Sequence, residues 1–214
     1  MSSRGWFSVG IAAAFAVALT FLTLPVVAIF VDTSPRELLE SLDDPVARDA
    51  LRLSLETTTI SICLILLIGT PAAYYLATRS FRGRAIAITL IELPLVLPPA
   101  VAGIALLAAV GPSGILGDAV SDAGIQLVLE TAGVVVALTF VASPFYMRQA
   151  QAAFGSVDPA LIDAARTLGA SEARAFARVA IPAAMPSLVA GTALALGRAL
   201  GEFGATLMLS LIHI

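Results

Sequence analysis

The side chains of this sequence that could carry out covalent chemistry are few. Ser113, in the run Gly111-Pro-Ser-Gly114, could act as a nucleophile only with a base within hydrogen-bond reach. The chain has one histidine, His213, and one cysteine, Cys63, which lies in an apolar run. No G-x-x-x-x-G-K-[ST] sequence, which would bind the phosphates of a nucleotide, is present. We therefore assign no catalytic residue, no metal site and no bound cofactor to this chain.

Two charged residues lie in a long apolar stretch near the end of the chain. Arg198 and Glu202 are spaced i, i+4, so they can pair on one face of a helix. Gly201 and Gly204 lie in the same stretch, and the spacing of Gly197 and Gly201 permits close contact between helices. The pattern has two interpretations. The helix could be tightly packed and stabilised by the charge pair, or it could line a pore at a dimer axis. We assign no anion to Arg198, because Glu202 would largely neutralise it.

An earlier apolar stretch combines one acid with several prolines. Glu92 is followed by Pro94, Pro98 and Pro99. A carboxylate in a membrane helix is costly and tends to face protein or water, and prolines bend a helix. The stretch is therefore either a kinked structural helix with Glu92 near one end or a kink beside a transport pathway.

The polar segment 161–182 and the residues just before it contain start and stop signals for a short helix. Asp158 is placed as an N-cap and Pro159 as the first helical residue. Gly169 is placed to end the helix in the left-handed conformation. Four residues at i, i+3, i+4 and i+7 fall on one small apolar face: Leu161, Ala164, Ala165 and Leu168.

A second short helix is expected over 171–179, capped by Ser171, before Ile181 and Pro182 open the next apolar stretch. Two interpretations fit the whole segment. It could lie on a membrane surface as an amphipathic loop, or its rigid helix–Gly–helix could insert into the groove of a partner protein.

Composition predicts the elements that position these residues. The chain is 59% hydrophobic and 13% charged, against about 45–50% and about 25% in soluble domains. Five apolar stretches are each long enough to cross a bilayer as a helix, and short alternating segments typical of a β-barrel do not occur. We predict an all-α, polytopic transmembrane helical bundle, one domain over 1–208, with spans near 7–31, 54–78, 85–110, 131–150 and 181–208.

The arginines predict the orientation of these spans. Eight of the twelve precede the first span or lie in the connections between spans two and three and between spans four and five: Arg4, Arg79, Arg82, Arg84, Arg148, Arg166, Arg174 and Arg178. The other two connections are rich in acids: 32–52 has six acids against three arginines, and 111–130 has three acids and no base. Because positive loops stay in the cytoplasm, we expect a cytoplasmic N-terminus and a cytoplasmic segment over 152–181.

The last six residues, 209–214, differ in composition from the glycine- and alanine-rich stretch before them. They can be read as the translation of a common transposon sequencing adapter. We expect this tail to be non-native and the gene to be truncated, so His213 is given no function.

The segment 161–182 resembles the EAA loop of binding-protein-dependent ABC importer permeases. The resemblance rests on Asp163-Ala-Ala, Gly169 and the Ile181-Pro182 pair at their spacing in this sequence. Asp163 stands where the family usually has glutamate, which keeps the charge and shortens the reach.

Three further runs are similar to the molybdate/tungstate permease group, with sulfate permeases as close relatives. They are Leu93-Pro-Leu-Val-Leu-Pro-Pro99, the run 164–171 and Arg198-Ala-Leu-Gly-Glu-Phe-Gly-Ala-Thr206. The resemblance implies a type I ABC importer permease in a prokaryotic cell membrane. The resemblance also implies a sixth span after this point, and we expect that truncation has removed it.

The resemblance also implies the partners. It predicts a homodimer with two ATP-binding subunits on the cytoplasmic side and an oxyanion-binding protein on the other, with no nucleic acid. ATP would be bound by the partner subunit, whose coupling contact is the loop of Leu161, Asp163, Ala164, Ala165, Leu168, Gly169, Ile181 and Pro182. The pathway or dimer-axis candidates are Pro98, Pro99, Arg198, Gly201, Glu202 and Gly204.

Two alternatives stay open. A sulfate or thiosulfate permease of the same class would share these features. The run around Ser113 also matches the GxSG of rhomboid-like intramembrane serine proteases, which need a histidine base, and His213 is the one candidate.

Overall fold

The computed structural model describes residues 3–32, 40, 43–122, 124, 127 and 130–202, and all the regular structure among them is helical. The α-helices are α1 (Ser3–Asp32), α2 (Pro45–Thr78), α3 (Arg84–Val96), α4 (Pro99–Val110), α5 (Gly117–Asp122), α6 (Thr131–Gly155), α7 (Pro159–Thr167), α8 (Glu172–Ala175) and α9 (Ile181–Leu200). Among these residues, four helical stretches are long and apolar enough to cross a membrane: Trp6–Ala28, Pro45–Thr78, Thr131–Gly155 and Glu172–Leu200.

The chain divides into two compact units, Met1–Arg52 and Leu53–Ile214. In the first unit, α1 is apolar along its length, and its described side chains are all exposed. A helix that is apolar on every side suits lipid or a membrane partner.

The core of the second unit forms where α2, α6 and α9 pack together. Small residues permit close approach of these helices. A Cβ at Gly69 of α2 would lie 3.2 Å from the Tyr146 ring of α6, and one at Gly191 of α9 would lie 3.0 Å from Gln149. Ser61 donates a hydrogen bond to the Val135 carbonyl at 3.1 Å, which also joins α2 to α6.

The stretch 85–110, expected as one kinked span, is two helices in the structure. α3 ends at Val96 and α4 begins at Pro99, while Leu97 and Pro98 are extended with ψ of 132° and 142°. The cause is local: each of these two residues precedes a proline, which disfavours the helical conformation. The kink that the prolines predict is therefore a complete break between two helices.

The last long helix also differs from the expectation. The separate helix over 171–179 and the new start at Ile181 are replaced by one helical stretch, Glu172–Leu200. Within it, Phe176–Ala180 forms a π-helical turn, in which Ile181 N–H donates to the Phe176 carbonyl. The turn lies directly before Pro182, which cannot donate a helical hydrogen bond.

α9 ends at Leu200, and Gly201 forms its C-cap. The predicted continuation to residue 208, Gly204 and the tail 209–214 lie outside the described residues.

Candidate functional site

α7 begins as the sequence predicts. The Asp158 carboxylate accepts a hydrogen bond from Ala160 N–H at 2.9 Å, and Pro159 occupies the first turn. An N-cap of this kind satisfies a backbone donor that the helix itself leaves unpaired. The start of α7 is therefore fixed by two adjacent residues.

α7 also ends as predicted, with Gly169 in the position after its C-cap, Leu168. The φ of Gly169 is +83°, in the left-handed region. Gly169 N–H donates to the Arg166 carbonyl at 2.9 Å, and Ala170 N–H donates to the Ala165 carbonyl at 3.0 Å. These two bonds form a Schellman motif, which pairs the last carbonyls of the helix.

The outer face of α7 is apolar and exposed. Leu161 is 50% exposed, and Leu168, at the C-cap, is 89% exposed. Ala164 is exposed beside them, whereas Ala165 is half-buried. Ile162, on the inner face, packs against the core. The helix therefore presents two leucines outward, and exposed apolar patches mark surfaces at which partners bind.

An ion-pair network joins α7 to the rest of the second unit. Glu172 accepts from Arg79 at 2.8 Å and from Arg166 at 3.1 Å, and Arg166 also pairs with Asp163 at 3.2 Å. Arg79 follows α2, Arg166 belongs to α7 and Glu172 begins α8. The contact places the connection after α2 and the segment 156–180 on one side of the bundle, which we call the arginine-rich side.

The sequence does not predict this network. Arg79 indicates only the orientation of the spans, and the pattern around Glu172 indicates no contact. The two residues are 93 positions apart, so helical spacing could not indicate their contact.

A cavity of about 380 Å³ lies between α7 and the ends of α2 and α6. Apolar side chains, among them Tyr74, Phe154 and Ile162, line one part of it, and Arg79, Asp163 and Arg166 line another. α7 is therefore not packed against the bundle along its whole inner face.

Three aromatic rings anchor the segment that follows α7. The Phe176 ring lies 4.6 Å from the Tyr74 ring and 6.0 Å from the Phe154 ring, measured between centroids. Tyr74 and Phe154 make an edge-to-face contact at 5.3 Å, a favourable aromatic geometry. This cluster holds the π-helical turn against α2 and α6.

Ile181 and Pro182, the last members of the predicted loop, lie in the first turn of α9. Ile181 packs against the core, and Pro182 is exposed. Neither belongs to the exposed leucine face of α7.

The charged residues of the apolar stretches form two pairs. Arg198 and Glu202 pair as their spacing predicts, and the Glu202 side chain is only 1% exposed. Glu92 of α3 lies 3.7 Å from Arg148 of α6, between charged atoms. Pro98 and Pro99 lie at the break between α3 and α4.

Comparison with known proteins identifies the family. The profile described as "Binding-protein-dependent transport system inner membrane component" matches residues 65–211. The chain belongs to this family. It is a multi-pass membrane protein and a transport subunit, not an enzyme.

Several relatives of this permease have names that specify a substrate. A "Probable molybdenum ABC transporter permease protein" of Haloferax volcanii is 42% identical over 91% of this chain and 71% of its own length. A "Molybdate/tungstate transport system permease protein" of Pyrococcus furiosus is 35% identical over 98% of this chain and 80% of its own length. A "Molybdenum transport system permease protein" of Escherichia coli K12 is 38% identical over 74% and 69%.

A solved structure shows the same fold. It is the crystal structure of a bacterial ABC transporter involved in the import of the acidic polysaccharide alginate. The TM-score is 0.76 at 17% sequence identity, over 98% of this chain and 79% of that one. The all-helical importer-permease fold expected from the sequence is confirmed.

Family membership removes the reason to consider a serine protease. Ser113 lies exposed in the turn between α4 and α5 of the permease. The histidine that a protease would need, His213, lies outside the described residues.

Proposed function

We propose that this permease imports molybdate or tungstate across a prokaryotic cell membrane, driven by ATP hydrolysis on a separate chain that docks on α7. The observation that supports the docking site is the structure of α7 itself. It is a short helix with fixed ends, and two exposed leucines project from it at the arginine-rich side. A short amphipathic helix of this kind fits an apolar groove of a partner protein.

The names of the relatives support the substrate. Relatives at 34–42% identity whose names specify a substrate are named for molybdenum or for molybdate and tungstate. Sulfate, a dianion of similar shape, is the alternative within the same class. Since no described residue is established as an anion ligand, selection between these anions is proposed to lie in an extracytoplasmic binding protein.

We propose that the arginine-rich side faces the cytoplasm, as the positive-inside rule indicates. The N-terminus then lies in the cytoplasm as well. Two copies of the permease form a homodimer, two ATPase subunits dock on the two α7 helices, and the binding protein delivers the anion on the opposite side.

The mechanism follows from this arrangement. ATP-driven closure of the ATPase pair draws the two α7 helices together. The bundles then rock from an inward-facing to an outward-facing state, and the anion enters from the binding protein. After hydrolysis the ATPases separate, and the anion leaves to the cytoplasm. The permease supplies the moving path, while all of the ATP chemistry belongs to its partner.

Transport in proteoliposomes tests the substrate. The permease, its ATPase and its binding protein would be reconstituted, and uptake of labelled molybdate measured with and without ATP. We expect ATP-dependent uptake that excess unlabelled tungstate suppresses and excess sulfate does not. Suppression by sulfate as strong as that by tungstate would favour the sulfate alternative, and uptake independent of ATP would contradict the proposal.

A further inference from the structure

The contacts that hold α7 to the bundle are few. None of its residues is buried, and a cavity of about 380 Å³ separates part of it from α2 and α6. The contacts of α7 to other elements include Ile162, which packs against the core, and the Arg166–Glu172 ion pair. The ion pair is thus a side-chain route by which a displacement of α7 can pass to the bundle, besides its packing contacts and the chain itself.

Glu172 occupies a branching point among these contacts. Its two carboxylate oxygens accept from different arginines: Oε2 from Arg79 at the end of α2, and Oε1 from Arg166 of α7. Its main chain begins the helical stretch that continues to Leu200. One carboxylate thus connects α7 to α2 and to the helix that contains α9.

We propose that Arg79, Arg166 and Glu172, here called the Glu172 junction, are positioning residues that transmit the motion of α7 to α2 and α9. The proposal rests on the proposed function, since it assumes that the ATPase moves α7. The junction touches neither ATP nor the anion.

The energetics suit such a role. The side chains of the junction are between 43% and 67% exposed, and exposed ion pairs add little to folding stability. Removing one should therefore leave the bundle folded. Coupling between two sites of a protein needs only a small bias between conformations. At the lower end of the usual range, the bias changes the affinity at one site by about fivefold.

The experiment measures the number of ATP molecules hydrolysed for each molybdate imported, in proteoliposomes with the ATPase and the binding protein. The variants are Arg79→Gln, Glu172→Gln and the double variant. Arg82→Gln is the matched control, since Arg82 is exposed in the same connection and has no ion pair in the part of the chain that the structure describes. Glu172→Asp keeps a negative charge at the start of α8 but shortens its reach.

We expect each single glutamine variant to raise the ratio of ATP to molybdate by about fivefold. The double variant should be no worse than Glu172→Gln, because residues that act through one contact are not additive. The ratio should stay at the wild-type value for Arg82→Gln and rise for Glu172→Asp. Thermal unfolding and co-purification with the ATPase should not change.

Wild-type ratios in both Arg79→Gln and Glu172→Gln would overturn the proposal, as would effects of the two changes that add in the double variant. Failure of the proposed function gives a different result. In that case the ATPase would still co-purify with a Leu168→Glu permease, whatever the ratios of the junction variants.

Discussion

Gly169 combines a left-handed backbone with open space. At its φ of +83°, no described atom lies within 4 Å of the position that a Cβ would take. Substitution there is therefore opposed by backbone strain and not by a clash within the permease. For most residues the left-handed conformation costs about 1–2 kcal/mol, and asparagine tolerates it best.

Gly169→Val and Gly169→Asn separate these two effects, because valine and asparagine are similar in size. We expect Gly169→Val to lose most ATP-dependent uptake, since the strain disrupts the end of α7. Gly169→Asn should retain a larger share. The measurement is molybdate uptake together with ATPase activity in proteoliposomes. Equal loss in both variants would show that contact with the partner, and not the backbone, excludes side chains here.

The N-cap gives a second prediction. Asp158→Ala removes the acceptor for Ala160 N–H and should destabilise the start of α7 by about 1 kcal/mol. Asp158→Ser keeps an acceptor and should remain close to wild type. Hydrogen exchange of the amides in the first turn of α7 measures the effect. Equal exchange in the two variants would contradict the role assigned to the cap.

Both ends of α7 could be predicted from the sequence because caps depend on adjacent residues. Asp158-Pro159 and Gly169 carry their conformational preferences wherever they occur. The Glu172 junction could not be predicted, since Arg79 and Glu172 meet only after α2 and α6 have packed. The pair of Arg198 and Glu202 could be predicted, like the caps, because its two residues are close in the sequence.

At the scale of elements, the break between α3 and α4 depends on two consecutive prolines. Pro98 holds Leu97 extended, and Pro99 holds Pro98 extended. A single substitution therefore leaves one of the two restrictions in place.

Replacing Pro98 or Pro99 singly by alanine should preserve the break, and replacing both should join α3 and α4 into one helix. Hydrogen exchange measures this, because the amides of residues 100 and 101, in the first turn of α4, gain helical acceptors only in the joined helix. If either single variant already gave full protection, the assignment of one restriction to each proline would be wrong.

The long elements could be predicted from composition, and the interruption of one of them in part from its prolines. Apolar length indicates a span, and α2 and α6 follow the predicted segments. The consecutive prolines at 98 and 99 predict a bend between α3 and α4, but not that the helix stops at Val96. The π-helical turn at 176–180 could not be predicted, because hydrophobic periodicity does not distinguish it from an ordinary helix.

For the whole molecule, the fold suits the proposed drive by an ATPase on a separate chain. α2, α6 and α9 form a closely packed core, and α7 stands outside it at the arginine-rich side. In the proposed function an ATPase partner moves α7, and the exposed leucines are the surface that we propose for its docking.

The docking of the ATPase on α7 is tested most directly by co-purification with a Leu168→Glu permease. Leu168 is 89% exposed, so the charge should not unfold the bundle, but it would be buried without a partner in an apolar groove. Leu116→Glu, at another exposed leucine in the turn before α5, is the matched control. We predict that Leu168→Glu loses the ATPase while Leu116→Glu retains it. A Leu168→Glu permease that still binds the ATPase and imports molybdate at the wild-type rate would contradict the account.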